Sequence, residues 1–378
     1  MLVQNKKKRS IKLIEFIQRA KFNILIRPYN LFSFLFLGKN YCNGRSYYPE
    51  KGKKKKVKIW IEQLIQTIKY GYPNEYYFSY GLDVKDKNER STYLHYATFA
   101  RIRDSLNMNI PSEVIILKDK FLFGMFTQYM GVTTPENIGI SENTGIYDTR
   151  SKETIPTKIF LRNLHNDDLF IKPFDGQCGA GISHLIVSSD KFIINGESTS
   201  IEEVIRILES DRYILQRTVK QHEAIANLHP SSLNTLRLVT IRHQRTGKID
   251  VFPSIIRIGT GKSFVDNTSK GGIAVGINLS NGNLNRHGFY KPEYGTKVDR
   301  HPDSLILFKD ITIPYFDKCK EQAVRLHSVL PQIQSIGWDI AIGPDGPIFV
   351  EGNDRWEITG PQNCNGGLKN LFMEYLQK

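Results

Sequence analysis

Gly337-Trp338-Asp339-Ile340-Ala341-Ile342-Gly343-Pro344-Asp345-Gly346-Pro347-Ile348-Phe349-Val350-Glu351-Gly352-Asn353 reads as two apolar runs around a turn. A three-residue hairpin loop takes a type I turn closed by a residue at positive φ, usually glycine. Pro344-Asp345-Gly346 meets that requirement and sets Gly343 opposite Pro347. Carried outward, the same register sets Asp339 across from Glu351 and Gly337 across from Asn353. Opposed residues on antiparallel strands share a face, as do residues two apart on one strand. Asp339, Glu351 and Asn353 are therefore expected on one face. Trp338, Ile340, Ile342, Ile348 and Val350 alternate with them and are expected to face a core.

Two carboxylates and an amide carbonyl, with the opposed Cβ atoms roughly 5 Å apart, make a hard-oxygen site. Mg²⁺ commonly takes one or two carboxylates and completes its octahedron with water and substrate phosphates. The plainer reading of the same pattern is a solvated hairpin with an acidic face.

Upstream, strands are expected over Thr235 to His243, Ile249 to Gly259 and Ile273 to Leu279, with a long helix from Pro314 to Leu330. Arg237 and Arg257 interrupt apolar strands, so each needs a partner there, either a structural carboxylate or a bound phosphate. Further upstream, Leu169 to Phe174 is a short strand, Asp175 to Gly181 a glycine-rich turn and Ile182 to Ser188 a second strand. Backbone N–H groups of such a turn approach phosphate oxygens closely, and Lys172 just before it adds a point charge. Ser200 and Glu203 form a capping box for a helix from Ile201 to Ser210, followed by a strand from Tyr213 to Val219. Ahead of this block lie a helix from Phe121 to Met130 with a Gly131 stop, and helices over Ile59 to Tyr70 and Arg90 to Leu106. On composition, Arg101 and Arg103 read as surface charges.

In order, the chain carries Lys120 ahead of a helix, Ile171-Lys172-Pro173 before a glycine loop, and a hinge strand. Then come Asn234 and Arg237 three apart on a strand, Asp266-Asn267 ahead of Gly271-Gly272, and Asp339 with Glu351 and Asn353. This order resembles the ATP-grasp ligases, in particular the sugar-transfer associated branch, over about residues 118 to 371. The resemblance implies an α+β fold in which two α+β subdomains grip ATP. These are residues 118–216, carrying the glycine-rich lid, and 217–378, carrying the metal and phosphate site. A helical N-terminal subdomain over 59–117 and a basic amphipathic segment over 1–58 precede them.

It also implies that Lys120 and Lys172 reach the nucleotide phosphates and that Gly176, Gln177, Gly179 and Gly181 close over them. By the same likeness Gln216, Arg217, Thr218 and Val219 hold adenine, Glu223 the ribose, and Asn234 lies in the nucleotide site. Arg237 and Arg257 act with Lys172 on the transferred phosphoryl group, while Asp339, Glu351 and Asn353 bind two Mg²⁺. Gln216 stands where many relatives carry an acidic residue, which loosens the adenine assignment.

Charge is distributed unevenly. Residues 1–58 hold 16 Lys and Arg against Glu15 and Glu50, and the remaining chain balances 36 basic with 36 acidic residues. The lysines bracket an amphipathic pattern from Ile11 to Ile26, expected to end at Arg27-Pro28, and a Phe-rich run from Leu31 to Leu37. Such a segment suits an anionic membrane surface, or packs its Phe run on the body while the lysines are solvated. The neutral body offers no groove for nucleic acid. Cys42, Cys178, Cys319 and Cys364 are too scattered for a zinc site or a disulfide framework, and no signal-peptide pattern is present. A cytoplasmic protein, peripheral on the inner face of the membrane, is expected.

The expected activity is an ATP- and Mg²⁺-dependent joining of a carboxylate to an amine through an acyl phosphate, the acid being a uronic acid of a surface polysaccharide. Two alternatives stand beside it: a kinase that stops at phosphorylation, and a membrane-surface module that holds nucleotide without turnover.

Overall fold

The computed structural model describes residues 21–38, 40–86, 89–107, 111–143, 145–174, 181–189 and 191–377. Gly176, Gln177 and Gly179 of the expected phosphate loop, and most of the expected helix from Ile11, lie outside the described residues.

Among the described residues three α-helices come first: α1 (Arg27–Leu37), α2 (Lys56–Tyr70) and α3 (Tyr96–Asn107). The break expected at Arg27-Pro28 does not occur. A π-turn over Phe22–Ile26 runs straight into α1, and this widened turn lies immediately before Pro28, where the backbone must accommodate the proline ring and its missing N–H. α1 and α2 pack as an antiparallel hairpin. Phe34 is buried against Trp60 (ring centroids 5.8 Å apart), and Asn30 Nδ2 donates to Gly71 O at 2.9 Å. Away from that seam, Tyr29, Phe32 and Phe36 on α1 and Val57, Ile61, Ile65 and Ile68 on α2 form two apolar stripes, each residue 44% to 70% exposed.

α4 (Pro111–Lys118) and α5 (Lys120–Tyr129) lead into an eight-stranded antiparallel sheet. Its strands are β1 (Asn137–Glu142), β2 (Gly145–Asp148), β3 (Glu153–Ile155), β4 (Asp167–Pro173), β5 (Ser183–Ser188), β6 (Lys191–Ile194), β7 (Glu197–Thr199) and β8 (Tyr213–Arg217). They lie in the order β3-β2-β1-β8-β4-β5-β6-β7. α6 (Thr157–Arg162) and α7 (Ile201–Ser210) cover one face, burying Phe160, Leu161, Val204 and Leu208 against Leu169, Ile171 and Leu215. The capping box is present, Ser200 Oγ accepting from Glu203 N at 3.2 Å. Because Ile171 and Leu169 face that core, the alternate residues Lys172, Phe170 and Asp168 face the other way.

α8 (Glu223–Ala226) opens the second half. Its seven-stranded antiparallel sheet holds β9 (Thr235–Arg242), β10 (Ile249–Ile258), β11 (Ile273–Ile277), β12 (Leu284–Phe289), β13 (Lys297–Val298), β14 (Ser335–Gly343) and β15 (Gly346–Asn353) in the order β13-β12-β11-β10-β9-β14-β15. α9 (Phe316–Ser328) packs Cys319, Ala323 and Leu326 onto Leu236, Leu238, Ile256 and Trp338. α10 (Thr359–Asn365) and α11 (Lys369–Tyr375) close the other side with Trp356 and Phe372.

The β14–β15 hairpin differs from expectation at its tip. Gly343 pairs with Gly346, not Pro347, so the loop is the two residues Pro344-Asp345, and Gly346 takes φ 143. One extra residue, Val350, bulges between the pairs Ile340↔Phe349 and Asp339↔Glu351 and restores the outer register. Asp339 faces Glu351 and Gly337 faces Asn353 as the spacing requires. In consequence Phe349 joins the core with Ile340, while Ile348 and Val350, expected there, are half-buried.

Candidate active site

Four adjacent strands carry one charged row. Asp339 on β14 is opposed by Glu351 on β15 and by Arg237 on β9, and Arg257 on β10 is opposed by Thr235, two residues along from Arg237. Arg237 grips the Asp339 carboxylate with two N–H groups, Nε to Oδ1 at 2.5 Å and Nη2 to Oδ2 at 3.0 Å. Arg257 Nη2 donates to the same Oδ2 at 2.8 Å and to Thr235 Oγ1 at 2.7 Å. Asp266 completes the row. It accepts from the Thr235 backbone N–H at 2.9 Å and lies 3.6 Å from Arg257 Nε.

The electrostatics follow from burial and neighbours. Burial opposes the charge on Asp339, but Arg237 and Arg257 outweigh it and hold the carboxyl well below its usual range. Glu351 is pushed up to about 7, first by burial and then by the Asp339 charge and the hydrogen bond the two carboxyls share. Burial likewise raises Asp266, against the pull of Arg257. Asn353 Nδ2 donates to Glu351 Oε1 at 3.2 Å, tying the third expected ligand to the second.

Gly337 makes room for this arrangement. A Cβ there would lie 2.6 Å from Trp356 Cβ and 3.0 Å from Arg237 Cδ, so the arginine stem passes only because the position has no side chain.

Lys172 on β4 stands at the facing wall. Its ammonium donates to Gln216 Oε1 at 2.6 Å, and Gln216 Nε2 donates in turn to Asn137 Oδ1 at 2.9 Å. Burial brings Lys172 down to about 8, with Glu351 across the cleft favouring the charge and Lys120 opposing it. Lys120 Nζ donates to the carbonyls of Pro173 (3.2 Å) and Phe174 (3.3 Å), where β4 runs into the glycine-rich segment. Gly181 closes that segment at φ 71, beside the Pro173 ring.

The remaining expected residues are placed less directly. Gln216 is turned toward Lys172, which gives it a positioning task the sequence did not announce. Arg217 pairs with Glu136 at 2.8 Å and with Asp167. Thr218 is exposed and donates to Asp168, Val219 is half-buried, and Glu223 is exposed at the first turn of α8. Asn234 is fully buried and committed to protein: its Nδ2 donates to Ile225 O and His229 O, while its Oδ1 accepts from Ser232 and Gly259. Thr235, Asp266 and Asn137 belong to the site and were not anticipated. The Asp266-Asn267 pair ahead of two glycines was the signal available for one of them.

Among the described residues no group of three or more His, Cys, Asp or Glu is assembled around a metal position. The candidate set is the sparser one of Asp339, Glu351 and Asn353. It fits Mg²⁺ on its own chemistry: Asp339 and Glu351 are paired across two strands with Asn353 beside Glu351, and a divalent cation would offset the burial and like charge that raise Glu351.

Two antiparallel sheets thus face each other, with lysines on one wall and an Asp–Glu–Asn set flanked by two arginines on the other. That is the arrangement of an ATP-grasp protein. The sequence profile described as sugar-transfer associated ATP-grasp matches residues 101–374, and the chain belongs to that family.

Solved structures to which the chain is similar include the ADP complex of purK, an N5-carboxyaminoimidazole ribonucleotide synthetase (13% identity, 64% of this chain, 45% of that one, TM-score 0.37). The synthetase of that name from Thermotoga maritima also matches (13% identity, 68% and 48%, TM-score 0.35). So does the ATP-grasp ligase PsnB complexed with minimal precursor (14% identity, 75% and 68%, TM-score 0.39). The chain spans about half the length of the synthetases it matches. No curated protein sequence matches it.

Proposed function

We propose that this protein is an ADP-forming, Mg²⁺-dependent carboxylate–amine ligase. The observation that carries the reading is the meeting of Lys172 with the Asp339–Glu351–Asn353 set and its two arginines in one cleft. A carboxylate is a poor acyl donor at neutral pH. Attack of its oxygen on the γ-phosphorus forms a new P–O bond and breaks the bond to the β-phosphate oxygen, giving an acyl phosphate and ADP. An amine then attacks the acyl carbon, phosphate departs, and a proton leaves the nitrogen.

Phosphoryl transfer depends on alignment and on cations that absorb charge, more than on a protein nucleophile. Lys172 and Lys120 supply cations from one wall and Arg257 and Arg237 from the other. Asp339, Glu351 and Asn353 would hold Mg²⁺, which would supply charge neutralisation for the nucleotide phosphates. Gly181 ends the glycine-rich segment assigned to the lid, and the strand end at Gln216 to Val219, with Glu223, borders the nucleoside, while the buried Asn234 supports that wall from within. The family's association with sugar transfer supports a saccharide acid, a uronic acid being the one with a carboxylate to activate.

The two apolar stripes of the α1–α2 hairpin support a place on a membrane surface. They are rimmed by exposed Lys51, Lys53, Lys55, Lys56 and Lys58, and no helix among the described residues is long and apolar enough to cross a bilayer.

Incubation with ATP, Mg²⁺ and a panel of sugar acids and amines tests the chemistry. Release of ADP and phosphate together with an amide, only when both substrates are present, is expected. AMP and pyrophosphate would remove the mechanism, and ADP without amide would favour a kinase.

A further inference from the structure

Away from the phosphate cleft, a cavity of about 860 Å³ opens between the end of α2 and α3. Tyr70, Tyr72, Tyr76 and Tyr96 line it with flat rings, and Arg101 and Asp104 add a cation and an anion. Its size lies in the upper part of the range for small-molecule sites, roughly 300–1,000 Å³. The Tyr70 ring is held by stacking on His95, with centroids 4.8 Å apart and planes 20° from parallel. Asp104 is held by Arg103, which donates to its Oδ1 at 2.8 and 2.9 Å.

Flat rings interspersed with hydroxyl, guanidinium and carboxylate groups match one ligand chemistry well. A pyranose offers C–H faces to aromatic rings and a rim of hydroxyls that both donate and accept.

The cavity adjoins the catalytic end of the molecule. Arg103, lying between Arg101 and Asp104 on α3, donates to the carbonyls of Arg355 (3.0 Å) and Trp356 (2.7 Å). Arg355 is two residues beyond Asn353, at most about 7 Å of extended chain. The Tyr76 hydroxyl bonds the Thr359 side chain, at the start of the helix that follows. Tyr70, Tyr72, Tyr76 and Tyr96 all precede residue 101, where the family match begins, so this wall belongs to the part of the chain outside the family's shared region.

We propose that this cavity is a glycan subsite, holding the sugar units next to the acidic unit whose carboxylate reaches the Asp339–Glu351 cluster. The proposal rests on the ligase reading above and adds where the rest of the acceptor lies. It makes the acceptor an oligosaccharide, since a free uronic acid fills only the reactive position.

The test uses the full chain, a glucuronic-acid-containing tetrasaccharide and free glucuronic acid, with calorimetric binding in the absence of ATP and, with ATP, Mg²⁺ and the same panel of amines, amide formation. Tyr96→Ala and Arg101→Ala alter side chains open to the cavity, and circular dichroism checks their fold. The wild-type chain should bind the tetrasaccharide more tightly than free glucuronic acid, and each variant should lose about tenfold of that advantage. KM for ATP and turnover on free glucuronic acid should stay unchanged. Equal binding of the two saccharides by the wild type, or variants that leave tetrasaccharide affinity and KM unchanged while amide forms normally, would overturn the subsite and leave the ligase standing. Selective binding that the variants abolish, with no amide formed, would support the subsite and count against ligation.

Discussion

Arg237 and Asp339 face each other across β9 and β14, and the arginine holds the carboxylate through two N–H groups while Arg257 holds it from a second side. Asp339 therefore balances Arg237 and shares Arg257 with Asp266, and ATP entering the cleft would compete with these carboxylates for the two guanidiniums. Asp339→Asn should leave Arg237 without its carboxylate partner and Arg257 with Asp266 alone, and cost about 3 kcal/mol of stability, whereas Glu351→Gln, which imitates the protonated carboxyl, should cost little. Urea unfolding of the two variants checks this. Equal losses would mean that the arginines are not balanced chiefly by Asp339.

Lys172 should make nucleotide affinity pH-dependent. Burial brings it down to about 8, and phosphates favour its ammonium form, so ATP binding is strongest below that pH and weakens as pH rises through it. KM for ATP measured from pH 7 to 9.5 should climb above about 8 in the wild type and stay flatter in Lys172→Arg. Parallel profiles for the two proteins would assign the effect to another group. Gln216→Leu, which takes away the acceptor at 2.6 Å, should raise KM for ATP several-fold without removing activity.

A buried histidine predicts acid lability. His327 donates through Nε2 to Ile333 O at 2.9 Å, and its Nδ1 accepts from the Thr240 hydroxyl at 2.8 Å, which itself accepts from Trp338 Nε1 at 2.9 Å. Burial holds this imidazole at about 4. Between about 4 and the unfolded value near 6.5 the unfolded chain binds more protons, so stability present above pH 6.5 is lost as pH falls, by up to about 3 kcal/mol. Unfolding midpoints at pH 7, 5.5 and 4.5 should fall more steeply for the wild type than for His327→Gln. Identical slopes would contradict the assignment.

The hairpin shows how far the sequence could be read. Alternation of apolar and polar residues placed Asp339, Glu351 and Asn353 on one face, and the outer pairs agree. The turn was misjudged by one residue, and the Val350 bulge offset the error, because no local pattern announces a bulge on a strand this apolar. The central strands β9, β10 and β14 were legible from long apolar runs. β1 to β3 were not, since they are short, three to six residues each. The β6–β7 turn carries a hairpin signal, Asn195-Gly196 with both residues at positive φ after the apolar run Phe192-Ile193-Ile194, but the polar Glu197-Ser198-Thr199 that follows hides the second strand. Arg257, Thr235 and Asp266 assemble through register between strands far apart in sequence, which periodicity cannot supply.

Membrane association should depend on both hairpin stripes and on charge. Phe32→Asp with Phe36→Asp, or Ile61→Asp with Ile65→Asp, should reduce flotation with anionic vesicles. Neutral vesicles should bind weakly, and added salt should release the protein from anionic ones. Flotation indifferent to both variants and to lipid charge would exclude the hairpin as the docking face.

Calorimetric titration of ATP into the chain, with and without Mg²⁺, tests the central claim most directly. The account predicts saturable binding that Mg²⁺ tightens in the wild type and that Glu351→Gln leaves insensitive to Mg²⁺, the variant keeping its fold; Lys172→Met should weaken it at least about tenfold. Binding of ATP with the same affinity and the same Mg²⁺ dependence in all three proteins would contradict it.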